Sequence, residues 1–249
     1  LTLGVTRQGI HVEGQATLDG VPVKGRWSQL FGPDQVGKSR VQATLDLSPA
    51  SLATFAIGLP KGAVTGKGAG EIAVDLHRGQ PPAFVLTSDL AGLTLKIPEI
   101  GWTKAAGDKA SLRVEGSFGA PATISRLDLT GPGLTAMGSV TLKPDNGLDH
   151  ADFKGVKIGD WFTGDLALIG QGKGRAVGLT VRGGTADLRR AHFGTSSQGS
   201  GKDAPVSIAL DRLTVTDQIA LTGFQGAFQT ADGFRGSFTG QVNGQTPVQ

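Results

Sequence analysis

The stretch "IHVEGQATLDG", residues 10–20, alternates apolar and polar side chains and ends in Asp-Gly. Successive side chains of an extended chain point to opposite faces, so a period of two indicates a strand with one apolar and one wet face. The Asp-Gly dipeptide is a frequent hairpin turn. The stretch therefore predicts a strand that turns back into an antiparallel neighbour. Its apolar face would consist of Ile10, Val12, Gly14, Ala16 and Leu18.

The same alternation recurs along the chain, with short connections rich in Gly, Asp, Asn and Pro, such as "KPDNG" at residues 143–147. Connections of this composition are typical of hairpins, so most strands should form an antiparallel meander. We count about fifteen to nineteen strand-like segments, whereas an open twisted sheet usually holds no more than roughly ten strands before it curls. The prediction is an all-β protein with one long, curved antiparallel sheet that forms an open or taco-like groove.

One segment, "DLSPASLATFAIGLPKG" at residues 46–62, departs from this pattern. Ser48 can cap the first turn of a helix, and Pro49 stands where a missing N–H costs nothing. We therefore expect one short helix near 48–59. It either docks on the apolar face of the sheet and narrows the groove, or it only caps one end of the core. Its apolar side would consist of Leu52, Phe55 and Leu59.

The composition restricts the classes of partner. The chain has 249 residues and no cysteine, and its 24 Lys and Arg stand against 21 Asp and Glu. The lack of cysteine excludes disulfides and thiolate metal sites, and the scattered basic residues do not predict a nucleic-acid partner. We expect residues 1–249 to form one elongated segment of a larger protein, with a candidate sub-boundary at the polar loop 194–205.

The sequence carries no recognisable catalytic signature. Serine-hydrolase, zinc and Walker-type motifs are absent, and the four histidines lie far apart without paired spacing. The glycine-rich stretches at residues 66–70 and 170–174 precede strand-like segments, and a phosphate loop would need a helix there. We therefore predict a protein that is not an enzyme and has no catalytic residue, no metal and no cofactor. The histidines in question are His11, His77, His150 and His192.

A one-sided sheet of this length leaves an apolar face that a second sheet, helices, its own closure or an apolar ligand must cover. Aromatic residues make up only 6% of the chain, and Gly and Ala recur on the apolar side. Such a shallow face suits sliding acyl chains, although a sandwich core with closely spaced sheets also uses small residues. The candidate groove residues are Val12, Leu18, Val41, Leu45, Leu52, Phe55, Leu59, Ile72, Val74, Leu76, Leu93, Leu95, Leu112, Val114, Phe118, Val177, Leu179, Val181, Phe234 and Phe238.

Three stretches resemble a known family. The order "RW…FGPD…SRVQATLDLSPASLATFAIGLPKGAVTGKGAGEIAVDL", residues 26–76, is similar to the large AsmA-like envelope proteins of the YhdP type. The later "KGRAVGLTVRGGTADLRRAHFG" at 173–194 and "VSIALDRLTVTDQIALTGFQGAF" at 206–228 resemble the repetitive strands of the same proteins. The specific part of the resemblance is residues 26–76, and it carries over no active-site residue.

The resemblance implies a function and a location. It implies a periplasmic segment of a bridge-like protein of a Gram-negative bacterium, anchored to the inner membrane through regions outside this segment. The implied function is the conduction of phospholipid along a hydrophobic β groove between the inner and outer membranes. At about 4.8 Å per strand, fifteen strands would extend over roughly 70 Å.

Other functions also fit the sequence. One is a non-catalytic structural or assembly module of the bacterial envelope, with a closed β-sandwich core and edge strands that pair with partner proteins. An enzyme or a glycan-binding solenoid fits less well, because aromatic platforms and paired acids are missing from the sequence.

Overall fold

The computed structural model describes residues 1–18, 21–54, 62–97, 100–145, 147–173, 175–191, 204–230 and 235–249. Within these residues the chain is almost entirely β, with one α-helix, α1 (Pro49–Thr54), and one 3-10 helix (Pro33–Gln35). The strands are β1 (Thr2–Val5), β2 (Gly9–Leu18), β3 (Val21–Leu30), β4 (Lys38–Leu47), β5 (Val64–Gly66), β6 (Gly68–His77), β7 (Ala83–Ser88), β8 (Leu93–Ile97), β9 (Trp102–Lys104), β10 (Ser111–Ser117), β11 (Thr123–Gly131), β12 (Leu134–Leu142), β13 (Leu148–Ile158), β14 (Phe162–Ile169), β15 (Gly178–Asp187), β16 (Pro205–Thr214), β17 (Ala220–Gln229), β18 (Arg235–Val242) and β19 (Thr246–Val248).

Sixteen strands form one sheet, which is mostly antiparallel and not closed. The order is β1-β2-β3-β4-β6-β7-β10-β11-β12-β13-β14-β15-β16-β17-β18-β19, and β5, β8 and β9 form a separate small sheet. The predicted all-β class, with one long antiparallel sheet and one short helix, is confirmed.

The pairing of β15 with β16 differs from a simple meander, because these two strands run parallel, with Leu179 opposite Val206. Parallel neighbours need a connection that returns along the length of a strand. The chain between Asp187 and Pro205 is long enough to return along a ten-residue strand at about 3.3 Å per residue. The polar composition of this connection was visible in the sequence, but its crossover direction was not.

The chain divides into two compact units. Unit 1 comprises Leu1–Lys96 and Lys104–Gly131, and unit 2 comprises Ile97–Thr103 and Pro132–Gln249. The loop at 194–205, which the sequence marks as a candidate sub-boundary, lies outside the described residues except for its last two positions.

In unit 1 the strand register brings the apolar positions to one side of the sheet, which we call the apolar face of unit 1. Val12 lies opposite Trp27, Trp27 opposite Val41, and Val41 opposite Val74. The row continues from Val74 to Phe84. A one-residue slip would turn every such side chain to the opposite face, so the period of two fixes this register.

Helix α1 begins as the sequence predicts. The Ser48 hydroxyl accepts a hydrogen bond from the Ser51 backbone N–H at 3.2 Å, and the Ser51 hydroxyl accepts one from the Ser48 N–H at 2.8 Å. This reciprocal arrangement has the form of a capping box. The predicted continuation to residue 59 lies outside the described residues, which leave off at Thr54 and resume at residue 62.

A buried lysine stabilises unit 1 around the start of β8. Lys104 is 0% exposed, and its ammonium donates hydrogen bonds to the carbonyl oxygens of Leu90 at 2.8 Å, Leu93 at 3.0 Å and Ala105 at 3.0 Å. An ammonium has three donors, so all of them are used here. These bonds offset the desolvation of the charge and tie β8 and β9 to the turn that precedes β8.

Unit 2 contains a series of β-bulges in neighbouring strands. The register shifts between β13 and β14, between β14 and β15, and between β17 and β18. Gly155 and Gly184 occupy bulge positions with φ of 55° and 81°, a left-handed conformation that favours glycine. Asp165 accepts a hydrogen bond from the Gly155 N–H at 2.9 Å, and Asp211 accepts one from the Gly184 N–H at 2.8 Å. The bulges at Gly155 and Gly184 therefore each have a carboxylate that accepts the backbone N–H of the glycine.

Candidate functional site

The apolar face of unit 1 is the first part of the candidate site. Most of its side chains are half-buried, although strands flank them on both sides. A residue covered by a second layer would be fully buried, so this exposure means that the described residues leave most of the face accessible. The predicted groove residues on it are Val12, Val41, Leu45, Ile72, Val74, Leu76, Leu112, Val114 and Phe118; Leu18 shares the register, and its side chain lies outside the described residues.

Strands β5 and β8 cover one end of this face. Leu93 is 2% exposed and packs in one cluster with Leu45, Leu47 and Leu90, and Leu95 packs against that cluster. Both leucines of β8 were predicted to line the groove. The structure places them in the layer that covers the face, where they form a core with the strands beneath.

Helix α1 lies beside this covered end, because it contacts β4 and β5. Leu52 is half-buried on the helix. Phe55 and Leu59 lie outside the described residues, so the docking of the helix on the apolar face stays a prediction.

In unit 2, as in unit 1, apolar side chains that lie opposite one another on paired strands form one side of the sheet, which we call the apolar face of unit 2. Leu179 is half-buried and Val181 is buried, whereas Val177, directly before β15, is 43% exposed. Phe238 is 38% exposed and stacks on Phe224 with ring centroids 5.5 Å apart. The predicted Phe234 lies outside the described residues.

A shallow depression of about 340 Å³ lies at one end of β15–β18 in unit 2. One register row crosses it, since Leu179 lies opposite Val206, Val206 opposite Phe228, and Phe228 opposite Gly236. A Cβ at Gly236 would lie 1.9 Å from the Ala227 carbonyl oxygen, so only glycine fits there. The row therefore pairs the aromatic ring of Phe228 with a glycine that the close approach of the neighbouring backbone requires.

Several residues of the apolar faces were not identified from the sequence. Trp27, Phe84 and Leu86 belong to the unit 1 face by register, and Phe228 belongs to the unit 2 face. The signal was weak around Phe84 because "FVL" at 84–86 is a continuous apolar run. Strand pairing identifies Val85 as the residue that points the other way.

The opposite side of the sheet carries cross-strand ion pairs. Arg26 lies 3.1 Å from Glu13, Arg40 lies 3.3 Å from Asp75, and Lys154 lies 2.7 Å from Asp165. Opposite charges on directly facing strands stabilise a sheet modestly when exposed. The hydrogen bond from Lys154 lowers the pKa of Asp165. Each unit therefore has one charged side and one apolar side.

The "DLRR" step that contributed to the resemblance forms an ion-pair cluster at the turn end of unit 2. Arg189 donates hydrogen bonds to Asp187 and Asp217, and Arg190 donates one to Asp160. The hydrogen bond from Arg189 holds the pKa of Asp187 at about 2 and raises that of Arg189. The cluster joins three turns of the sheet, which is a structural role.

The described part of the chain contains no group of three His, Asp or Glu side chains placed to hold a metal ion. Its nearest arrangement is His150, whose Nδ1 lies 2.9 Å from Asp149 and whose Nε2 lies 3.8 Å from Asp152. No helix among the described residues has the length and apolar character needed to cross a membrane.

The fold and the apolar faces together define the class of this protein, which is an open, one-sided β-sheet protein with accessible apolar surface. Comparison with protein families, curated proteins and solved structures gives no match for this chain. The resemblance to AsmA-like envelope proteins therefore stays a prediction.

Proposed function

We propose that this chain is a periplasmic segment of a bridge-like lipid carrier and that it conducts phospholipid between the inner and outer membranes along its apolar faces. One observation carries the proposal. Apolar side chains line up from strand to strand across the open sheet, and most of them are left half-buried by the described residues. An accessible apolar surface of this extent indicates a binding surface.

The chemistry of the face suits an acyl chain. Burial of a methylene group contributes about 0.8 kcal/mol without directional requirements, so a chain gains affinity wherever it lies on the face. Neighbouring strands repeat about every 4.8 Å, and each row offers similar aliphatic contacts. A chain that moves by one strand therefore exchanges one set of contacts for an equivalent set. Charged headgroups stay in water beyond the strand ends.

The first test is native mass spectrometry with lipid extraction on the chain purified from a bacterial envelope. We expect bound phospholipid in the wild type and a partial loss of that lipid in Val114→Asp. Val114 lies opposite Leu86 and Leu127, so the variant places a carboxylate among apolar side chains where acyl chains would lie. Gln42→Asp adds the same charge to the opposite, polar side of the sheet and should retain the lipid.

Two results would contradict the proposal. A stable wild-type chain that copurifies with no lipid would indicate that the faces do not bind acyl chains. If Val114→Asp retains the full lipid content, the apolar face of unit 1 is not the lipid-binding site. A melting curve for each variant separates loss of lipid from loss of fold.

A further inference from the structure

Four connections of unit 1 lie at the same end of its antiparallel strands, and we call them the open rim: residues 6–8, 31–37, 78–82 and 118–122. They join β1 to β2, β3 to β4, β6 to β7 and β10 to β11, which are neighbours in the sheet. At about 4.8 Å per strand, these eight strands span about 34 Å along the sheet. The small sheet belongs to the opposite end of the strands.

Large apolar side chains project from the open rim. Phe31 is 52% exposed, Val36 is 75% exposed and Phe118 is 45% exposed. Phe118 stacks on Phe84, with ring centroids 4.6 Å apart, and Phe84 lies on the apolar face. The apolar face of unit 1 therefore continues into the rim.

Backbone hydrogen bonds hold these connections in place. The Phe31 N–H donates to the Gln8 carbonyl at 2.9 Å, and the Phe118 N–H donates to the Pro82 carbonyl at 2.8 Å. The Arg78 N–H donates to the Gly37 carbonyl at 2.8 Å. Hydrogen-bonded turns therefore present the exposed rings of Phe31 and Phe118.

The charge of the rim is predominantly positive. Arg7 and Arg78 of the rim, and Lys38 at the first position of the adjoining strand β4, are exposed and form no ion pair with any described carboxylate. Asp34 is the single acidic residue of the four connections. On the polar side of the sheet, by contrast, Arg26 pairs with a carboxylate. The turn end of unit 2 also neutralises its arginines within its own ion-pair cluster.

We propose that the open rim docks on the surface of an anionic lipid bilayer. Exposed Phe and Val side chains enter the interfacial region of a bilayer, while Arg and Lys near them stay with the headgroup phosphates. Two of the four connections present large apolar side chains and the other two present Arg7 and Arg78, and this mixed surface along one edge of the sheet matches a broad lipid surface. The inference stands on the rim itself and does not require that the face carries lipid.

The test is co-sedimentation of the chain with vesicles. We expect binding to phosphatidylcholine vesicles that contain phosphatidylglycerol, and binding weaker by about tenfold or more to pure phosphatidylcholine, because each nearby cation contributes about fivefold on an anionic surface. Arg7→Gln with Arg78→Gln should weaken binding to the anionic vesicles by about tenfold or more. Phe31→Ser with Val36→Ser should do so as well.

The matched control is Val215→Ser with Ile219→Ser, which removes two exposed apolar side chains from a turn of unit 2. This variant should bind vesicles like the wild type. Rim variants that also bind like the wild type would overturn the inference. The inference would also be overturned if the wild type sediments with no vesicles but is retained by an acidic peptide resin. That result would indicate that the rim binds an acidic protein surface.

The lipid content of the same samples separates this inference from the proposed function. A chain that holds phospholipid but does not sediment with vesicles contradicts only the docking of the rim. A chain that sediments with anionic vesicles but holds no phospholipid contradicts only lipid conduction along the face.

Discussion

At the scale of single residues, two charged groups show how this sheet accommodates polar atoms. Lys104 is fully buried, and its hydrogen-bond acceptors are three backbone carbonyl oxygens and no carboxylate. Asp187 is near the surface, and two arginines neutralise it. The first holds a covering layer in place, and the second joins turns at the strand ends.

We predict that Lys104→Met lowers the free energy of unfolding by about 3 kcal/mol, because it removes three donors from buried carbonyl oxygens while keeping an unbranched apolar side chain. Urea denaturation measures the difference. Lys109→Met, at an exposed position, should change stability by less than about 0.5 kcal/mol. Equal midpoints for the two variants would mean that the three hydrogen bonds contribute little.

The Asp187 cluster predicts a pH dependence. Hydrogen bonding to Arg189 lowers the Asp187 pKa from 3.8 to about 2 in the folded chain. A depressed pKa stabilises the fold above the unfolded value, so this contribution should be lost as the pH falls from about 4 to about 2. Urea midpoints over this window should fall less steeply in Asp187→Asn and in Arg189→Gln than in the wild type. Parallel slopes in all three proteins would contradict the prediction.

At the scale of the elements, bulges and turns carry the strict requirements, and the strands themselves tolerate variation. Gly184 has φ of 81°, and a Cβ there would lie 1.9 Å from the Thr163 carbonyl oxygen. The bulge is also where Asp211 accepts the Gly184 N–H. A side chain at this point would force β14 and β15 apart.

Gly184→Ala should therefore destabilise the chain by about 2 kcal/mol or more, since a left-handed backbone for a residue other than glycine costs of order 1–3 kcal/mol before any clash is added. Thermal unfolding followed by circular dichroism measures the effect. Gly107→Ala is the control, because a Cβ at Gly107 would meet nothing within 4 Å. If both variants have the same melting temperature, the bulge does not require glycine at position 184.

At the scale of the whole molecule, the proposed conduction of lipid along the open sheet can be distinguished from storage of lipid on it. In the proposed conduit, lipid-binding sites along the faces act in parallel, so one blocked row removes part of the bound lipid. Movement from strand to strand acts in series, so one blocked row stops the flow. The proposed function therefore predicts different effects of the same substitution on lipid content and on lipid transport.

Val114→Asp in unit 1 and Leu179→Asp in unit 2 should each abolish phospholipid transport between the membranes while each retains part of the bound lipid. The reason is that an acyl chain in passage would have to desolvate a carboxylate, which costs several kcal/mol. Transfer of labelled phospholipid in cells and native mass spectrometry measure the two quantities. Transport that falls only in proportion to the bound lipid would argue against a conduit.

The sequence alone determined which residues are strands, which side of each strand is apolar, and where the helix begins. These features depend on neighbours within a few positions, because the period of two and the cap at Ser48 are local. Val12, Val41 and Val74 could therefore be assigned to one face before their partners were known. Phe84 was missed because it lies in a continuous apolar run at residues 84–86, where the period of two is lost.

Only the tertiary structure decided which strands pair and what covers the apolar face. The removal of β5, β8 and β9 into a small sheet, the parallel direction of β16 and the burial of Lys104 all depend on contacts between distant parts of the chain. The alternation of apolar and polar residues shows which side of a strand is apolar. It does not show which strand pairs with it or whether the two run parallel or antiparallel. For this reason the sequence predicted Leu93 as a groove residue, whereas the fold places it in the layer that covers one end of the apolar face.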